Sequence, residues 1–132
     1  MPALPWTTLA SLDPDTECTV MASKLPLRSH RHVPRFLYRT ILIRRQLAHT
    51  PGLAGYGLNA DLRGKTFWTV SAWTRRTDLG RFDRTDPHKS AKDAIRPAML
   101  PSTFVVWTCR ASDLPIAWDE VARRIDAVST PA

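Results

Sequence analysis

The sequence predicts an α+β domain built on one antiparallel sheet, and three observations carry that prediction. Strand-type and helix-type apolar patterns alternate in the order β-α-β-β-α-β, followed by one more helix. A hairpin signal sits in mid-chain, between Leu53 and Trp73. The 132 residues, 43% hydrophobic and 23% charged, suffice for one domain with one core. That element order is the ferredoxin-like one, four antiparallel strands with helices on one face. It sets the first strand beside the last, start against end, and so makes Cys18 and Cys109 expected neighbours.

Residues 1–16 read as irregular, because Pro2, Pro5 and Pro14 punctuate them and Asp13-Pro14-Asp15 signals a turn. One ferredoxin-like domain is expected over 17–128, with a fraying tail at 129–132. The first strand runs from about Cys18 to Leu27. Cys18, Val20 and Ala22 alternate with Thr19, Met21 and Ser23, so both sides carry apolar atoms. A helix is expected over Val33 to His49, with Pro34 in its first turn and Pro51-Gly52 as its stop. Its apolar stripe includes Val33, Leu37, Ile41 and Ala48, flanked by Phe36, Thr40, Ile43 and Leu47, while Arg35, Arg39, Gln46 and His49 lie opposite.

The hairpin turn, Asp61-Leu62-Arg63-Gly64, matches a type I turn with Asp first and Gly fourth. A three-residue loop of this kind pairs Asp61 with Lys65. One face then holds Ala54, Tyr56, Leu58, Trp68, Val70 and Ala72, a plain core face. The other holds Leu53, Gly55, Gly57, Asn59, Phe67, Thr69, Ser71 and Trp73, a mixture suited to a cavity wall.

A helical region follows in two pieces. Leu79 and Phe82 anchor the first; Asp86-Pro87 restarts the second, in which His88, Ala91, Ile95 and Met99 share a face, and Pro97 and Pro101 close it. Ser102 to Arg110 is the last strand of the motif. A final helix is expected from about Asp113, with Leu114, Trp118, Val121, Ile125 and Val128 at helical spacing. Two helices cover one side of such a sheet. The other side would then expose Phe67, Trp73 and part of the last strand, which predicts a symmetric dimer with sheets meeting face to face, the alternative being that the C-terminal helix covers part of that face.

Composition removes several classes of function. No apolar run approaches the ~20 residues of a membrane span, and no secretory signal opens the chain, so a cytoplasmic location is expected. The net charge is +7, but the basic residues form no block of five or six like charges and match no nucleic-acid motif, so no nucleic-acid partner is expected. Two cysteines make neither a disulfide framework nor a metal cluster. His30 and His32 form a His-x-His pair with no carboxylate or thiol to complete a metal site. Phosphate loops, paired-carboxylate signatures and nucleophile elbows are missing.

Pro51-Gly52-Leu53, Lys65-Thr66-Phe67-Trp68-Thr69-Val70-Ser71-Ala72-Trp73-Thr74, the helix with Leu79 and Phe82, and Pro87-His88 follow one another in a recognisable order. Over roughly Cys18 to Arg110 the chain resembles the dimeric α/β-barrel superfamily. Within it, the resemblance is to antibiotic-biosynthesis-monooxygenase-like proteins, including a spheroidene-monooxygenase-like branch. The resemblance implies a homodimeric barrel and three kinds of activity: cofactor-free oxygenation of aromatic polyketides, haem binding or breakdown, and isomerase or dehydratase chemistry. It also implies that some members are not catalytic.

Against that background His88 is the candidate base, or the axial ligand if haem is bound. Asn59 is the candidate for holding a substrate oxyanion. Phe67, Thr69, Ser71 and Trp73 are the candidate substrate-binding residues. The leading expectation is a small homodimeric oxygenase-like enzyme for a hydrophobic, aromatic or polyketide-like metabolite. It would need no metal and no cofactor; a haem protein and a non-catalytic small-molecule-binding protein are the alternatives.

Overall fold

The computed structural model describes residues 3–9, 11–85 and 88–129. Its single sheet has five strands: β1 (Ala3–Thr8), β2 (Glu17–Pro26), β3 (Leu53–Asp61), β4 (Thr66–Trp73) and β5 (Thr103–Arg110). The helices are α1 (Val33–Leu47), α2 (Arg76–Asp83), α3 (His88–Ile95) and α4 (Trp118–Ser129). Strand order is β1-β3-β4-β2-β5, and all the pairings are antiparallel. The last four strands in that order are the expected ferredoxin-like sheet. β2 lies beside β5 with Cys18 directly opposite Cys109, so the predicted neighbours meet as free thiols.

The N-terminal segment departs from the irregular chain expected of it. Ala3–Thr8 adds a fifth strand at the β3 edge. Prolines are tolerated on edge strands and at bulges. Here the register shifts between Leu4 and Thr7, where Pro5 falls. The Asp86-Pro87 helix restart and the end of the tail, 130–132, lie outside the described residues.

The hairpin register also differs from the expected one. Asp61 pairs with Thr66, not Lys65, and Ala60 pairs with Phe67. The loop is therefore one residue longer, Leu62 to Lys65. Asp61 does accept the Gly64 N–H (3.0 Å), but the left-handed residue is Lys65, at φ 55°. Because side chains alternate with period two, this single-residue slip turns β3 over relative to β4. Tyr56 and Leu58 join Phe67, Thr69, Ser71 and Trp73 on one face. Gly55, Gly57 and Asn59 join Trp68, Val70 and Ala72 on the other.

Helices of the same chain cover most of both faces, so of the expected wet face only part of the last strand stays open, at Phe104 and Val106 of β5. α1, α2 and α3 cover the first. Phe67 stacks on Phe36 of α1 at 4.2 Å, and Trp73 packs with Leu53, Tyr56 and Phe82. Phe67 and Trp73 are both 0% exposed, contrary to the expectation that they would face water. The opposite face packs against α4: Val121 and Ile125, with Ile116, bury Val20, Ala22, Ala54, Val70 and Ala72. Ala and Gly on this face let the covering elements approach closely; a Cβ on Gly55 would lie 2.5 Å from the Trp6 ring. Arg124 of α4 sits over the Trp107 ring at 4.4 Å.

α4 begins at Trp118, later than expected. Pro115 disfavours helical geometry in the residue before it, and Leu114 is extended (φ −85°, ψ 148°). Among the described residues, no helix is long and apolar enough to cross a membrane.

Candidate functional site

α3 opens with His88, as the sequence suggests, but the ring does not reach the sheet. It packs on Phe82, ring centres 4.5 Å apart, and Phe82 packs on Trp73 at 5.5 Å. His88 is thus one aromatic layer above the sheet. Nδ1 lies 3.4 Å from the Asp83 carbonyl oxygen and 3.6 Å from its carboxylate. A carbonyl only accepts, so Nδ1 carries the proton and Nε2 bears the lone pair. Burial pushes the His88 pKa below its ordinary value of 6.5; the Asp83 carbonyl and carboxylate oppose that shift, and Lys92 adds to it. Lys92 is itself paired with Asp83 at 2.8 Å. The imidazole is therefore neutral at pH 7, the form a proton acceptor needs.

Gln46 of α1, expected on the solvent side, ties this corner together. Its Oε1 accepts the His88 N–H (3.1 Å) and its Nε2 donates to the Thr85 carbonyl (3.4 Å). Its place opposite the α1 apolar stripe gave no sign of this role. Beside it, a hollow of about 450 Å³ opens between α1 and α2, walled by Leu42, Gln46, Phe82 and Thr85 among others. Phe82 is common to the hollow, to His88 and to Trp73.

The other candidate residues are placed differently. Phe67, Thr69, Ser71 and Trp73 share the helix-side face with one another, yet Phe67, Ser71 and Trp73 are buried and Thr69 is partly buried. Thr69 and Ser23 share a short hydroxyl–hydroxyl hydrogen bond. The Trp73 indole N–H donates to Ser71 Oγ (2.8 Å). The small polar groups that suggested a cavity wall satisfy one another instead. Asn59 pairs with Trp68 and faces the α4 side. The sheet therefore lies between Asn59 and His88, and the two do not meet in one chain.

A haem does not fit at His88. One side of the ring is taken by Phe82 and its surroundings include the Asp83–Lys92 ion pair, whereas a macrocycle needs a flat apolar slot at the ligating nitrogen. His30 is engaged with the Arg63 carbonyl (3.0 Å). Among the described residues, no cluster of His, Cys, Asp and Glu could hold a metal ion.

Comparison with solved structures gives the architecture its place. A proposed antibiotic biosynthesis monooxygenase from Nitrosomonas europaea aligns over 74% of this chain and 93% of its own, with TM-score 0.62 and 15% identity. The chain has the antibiotic biosynthesis monooxygenase fold. SnoaB, a cofactor-independent oxygenase from Streptomyces nogalater, aligns over 76% of this chain and 98% of its own (TM-score 0.59, 17% identity). A proposed antibiotic biosynthesis monooxygenase from Caulobacter crescentus covers 74% of this chain and 92% of its own (TM-score 0.59, 17% identity). At such identities the likeness is one of fold alone. No protein-family model matches the sequence, and no curated protein does either.

Proposed function

We propose that the chain is a small oxygenase-like enzyme acting, without a cofactor, on a hydrophobic aromatic or polyketide-like metabolite. One observation carries the reading: a neutral, half-buried imidazole, oriented by Asp83, packs on an aromatic that also walls an apolar hollow. A ligand in that hollow would lie against Phe82. His88 Nε2 takes a proton from an acidic C–H of the substrate, leaving a carbanion stabilised by its own conjugation. The carbanion carbon passes electrons to O2 and bonds to it, the peroxide so formed is protonated, and loss of the second hydrogen on that carbon with cleavage of the O–O bond releases water and leaves a new carbonyl. One oxygen atom enters the product and the other leaves as water. The SnoaB likeness supports the cofactor-free form, because that protein is described as working without one.

The reading includes a homodimer. With the rest of both sheet faces covered, pairing falls to apolar residues left open on the edge strand β5, Phe104 (56% exposed) and Val106 (38%).

The test is a pH profile of oxygen uptake. kcat/KM rises with pH through a value below 6.5, set by the lowered His88 pKa, and is flat above it. His88→Gln removes that rise and lowers turnover by about 100-fold or more. A His88→Gln variant with the wild-type rate and profile would end the proposal.

A further inference from the structure

A second hollow lies at the opposite end of α1, and its chemistry differs from the first. It has a volume of about 550 Å³ and is lined by Arg28, Ser29, Arg31, His32, Arg35 and Ala98, among others, with no acidic residue. The surrounding sequence is lopsided in the same sense. Between Glu17 and Asp61 no acidic residue occurs, and the seven Lys and Arg there equal the whole net charge of +7. The rest of the chain is balanced.

Six of the other sixteen Lys and Arg pair with carboxylates among the described residues. Arg75 and Arg81 pair with Asp78, Lys92 with Asp83, Arg96 with Asp93, and Arg123 and Arg124 with Glu120. Among the described residues, Arg28, Arg31 and Arg35 have no such partner. Three uncompensated guanidinium groups around one hollow repel one another, and an anion removes that cost.

The frame beneath them is fixed. The Arg28 N–H bonds the Ala98 carbonyl (2.8 Å) and the His32 N–H bonds the Ser29 carbonyl (3.1 Å). Ser29 Oγ accepts the Arg31 N–H (3.4 Å), and Leu27 bridges Met99. The backbone carrying the arginines is thus tied to the strand end on one side and to the turn after α3 on the other. Arginine forks match phosphate oxygens two at a time.

We propose that this hollow binds a small polyanion of the phosphate class, with Arg28, Arg31 and Arg35 as its ligands. The site is separate from the hollow at Phe82 and does not depend on the oxygenase reading.

The test is calorimetric titration of the whole chain with inorganic pyrophosphate at constant ionic strength. Saturable binding near one equivalent is expected. Arg31→Gln and Arg35→Gln each weaken it by about tenfold, the size of a lost charged hydrogen bond. Arg76→Gln, which removes the same charge from the exposed start of α2, leaves affinity within about twofold. These side chains are solvent-exposed, so an unchanged circular dichroism spectrum is expected for every variant. Absence of saturable binding overturns the proposal, as does equal weakening by Arg76→Gln. A single-stranded oligonucleotide that binds through Arg31 and Arg35 and is not displaced by pyrophosphate would also overturn it, in favour of a nucleic-acid surface.

Discussion

The two faces of the sheet are closed by different means. On the α4 side, Val20, Ala22, Ala54, Val70 and Ala72 present small side chains, so α4 settles close and Val121 and Ile125 are buried to 0% and 1% exposure. On the opposite side the sheet presents Phe67, Trp73 and Tyr56, and the helices answer with Phe36 and Phe82. The hollows lie on this helix side, one between α1 and α2 and one between the start of α1 and the turn after α3, and His88 sits on the same side.

The largest expected break in that contrast is Val121→Asp. It places an unpaired carboxylate in the α4-side core and costs more than about 4 kcal/mol. Chemical denaturation should show loss of the cooperative transition. If the variant stays folded with an unchanged midpoint, α4 does not close that face.

Gly52→Ala probes the helix side. Gly52 stands at φ 82°, and an added Cβ would lie 2.2 Å from the carboxylate of Asp78, itself 3% exposed. Left-handed strain and displacement of a buried, arginine-paired acid together cost about 2 kcal/mol or more. The same denaturation curve reads it.

Lys65→Gly has the smallest effect and the opposite sign. It relieves the left-handed strain at φ 55° and gains about 0.5 kcal/mol after the greater freedom of glycine in the unfolded chain is subtracted. A loss of stability would mean that the loop does not hold Lys65 in that conformation.

These substitutions also mark where sequence reasoning succeeds. Element order and strand neighbours follow from periodicity, and the Cys18–Cys109 pairing came out as expected. The cysteine environment was less legible. Burial foremost, then Cys18 and the Asp113 and Glu120 carboxylates, pushes the Cys109 thiol up to about 11, and burial raises Cys18 as well.

Hairpin register was not legible. Asp61 and Gly64 serve a three-residue loop and a four-residue loop equally well, and nothing in their identities reveals that Lys65 adopts the left-handed turn. That one residue moved Asn59 to the far side of the sheet and placed the aromatic wall under the helices. His88 was visible as a candidate from its place at a helix start. Its orientation by Asp83 and Gln46 was not, because those contacts join α1, α2 and α3 across long sequence separations.

The central claim is that reactivity belongs to the helix-side face, at His88, and not to the α4-side face that holds Asn59. Oxygen uptake with a panel of hydroxylated polycyclic aromatics measures it, comparing the wild type with His88→Ala and Asn59→Ala. The account predicts that His88→Ala loses about 100-fold or more of the rate while Asn59→Ala keeps it within about threefold, both variants remaining folded. An inactive Asn59→Ala variant beside a fully active His88→Ala variant would contradict it.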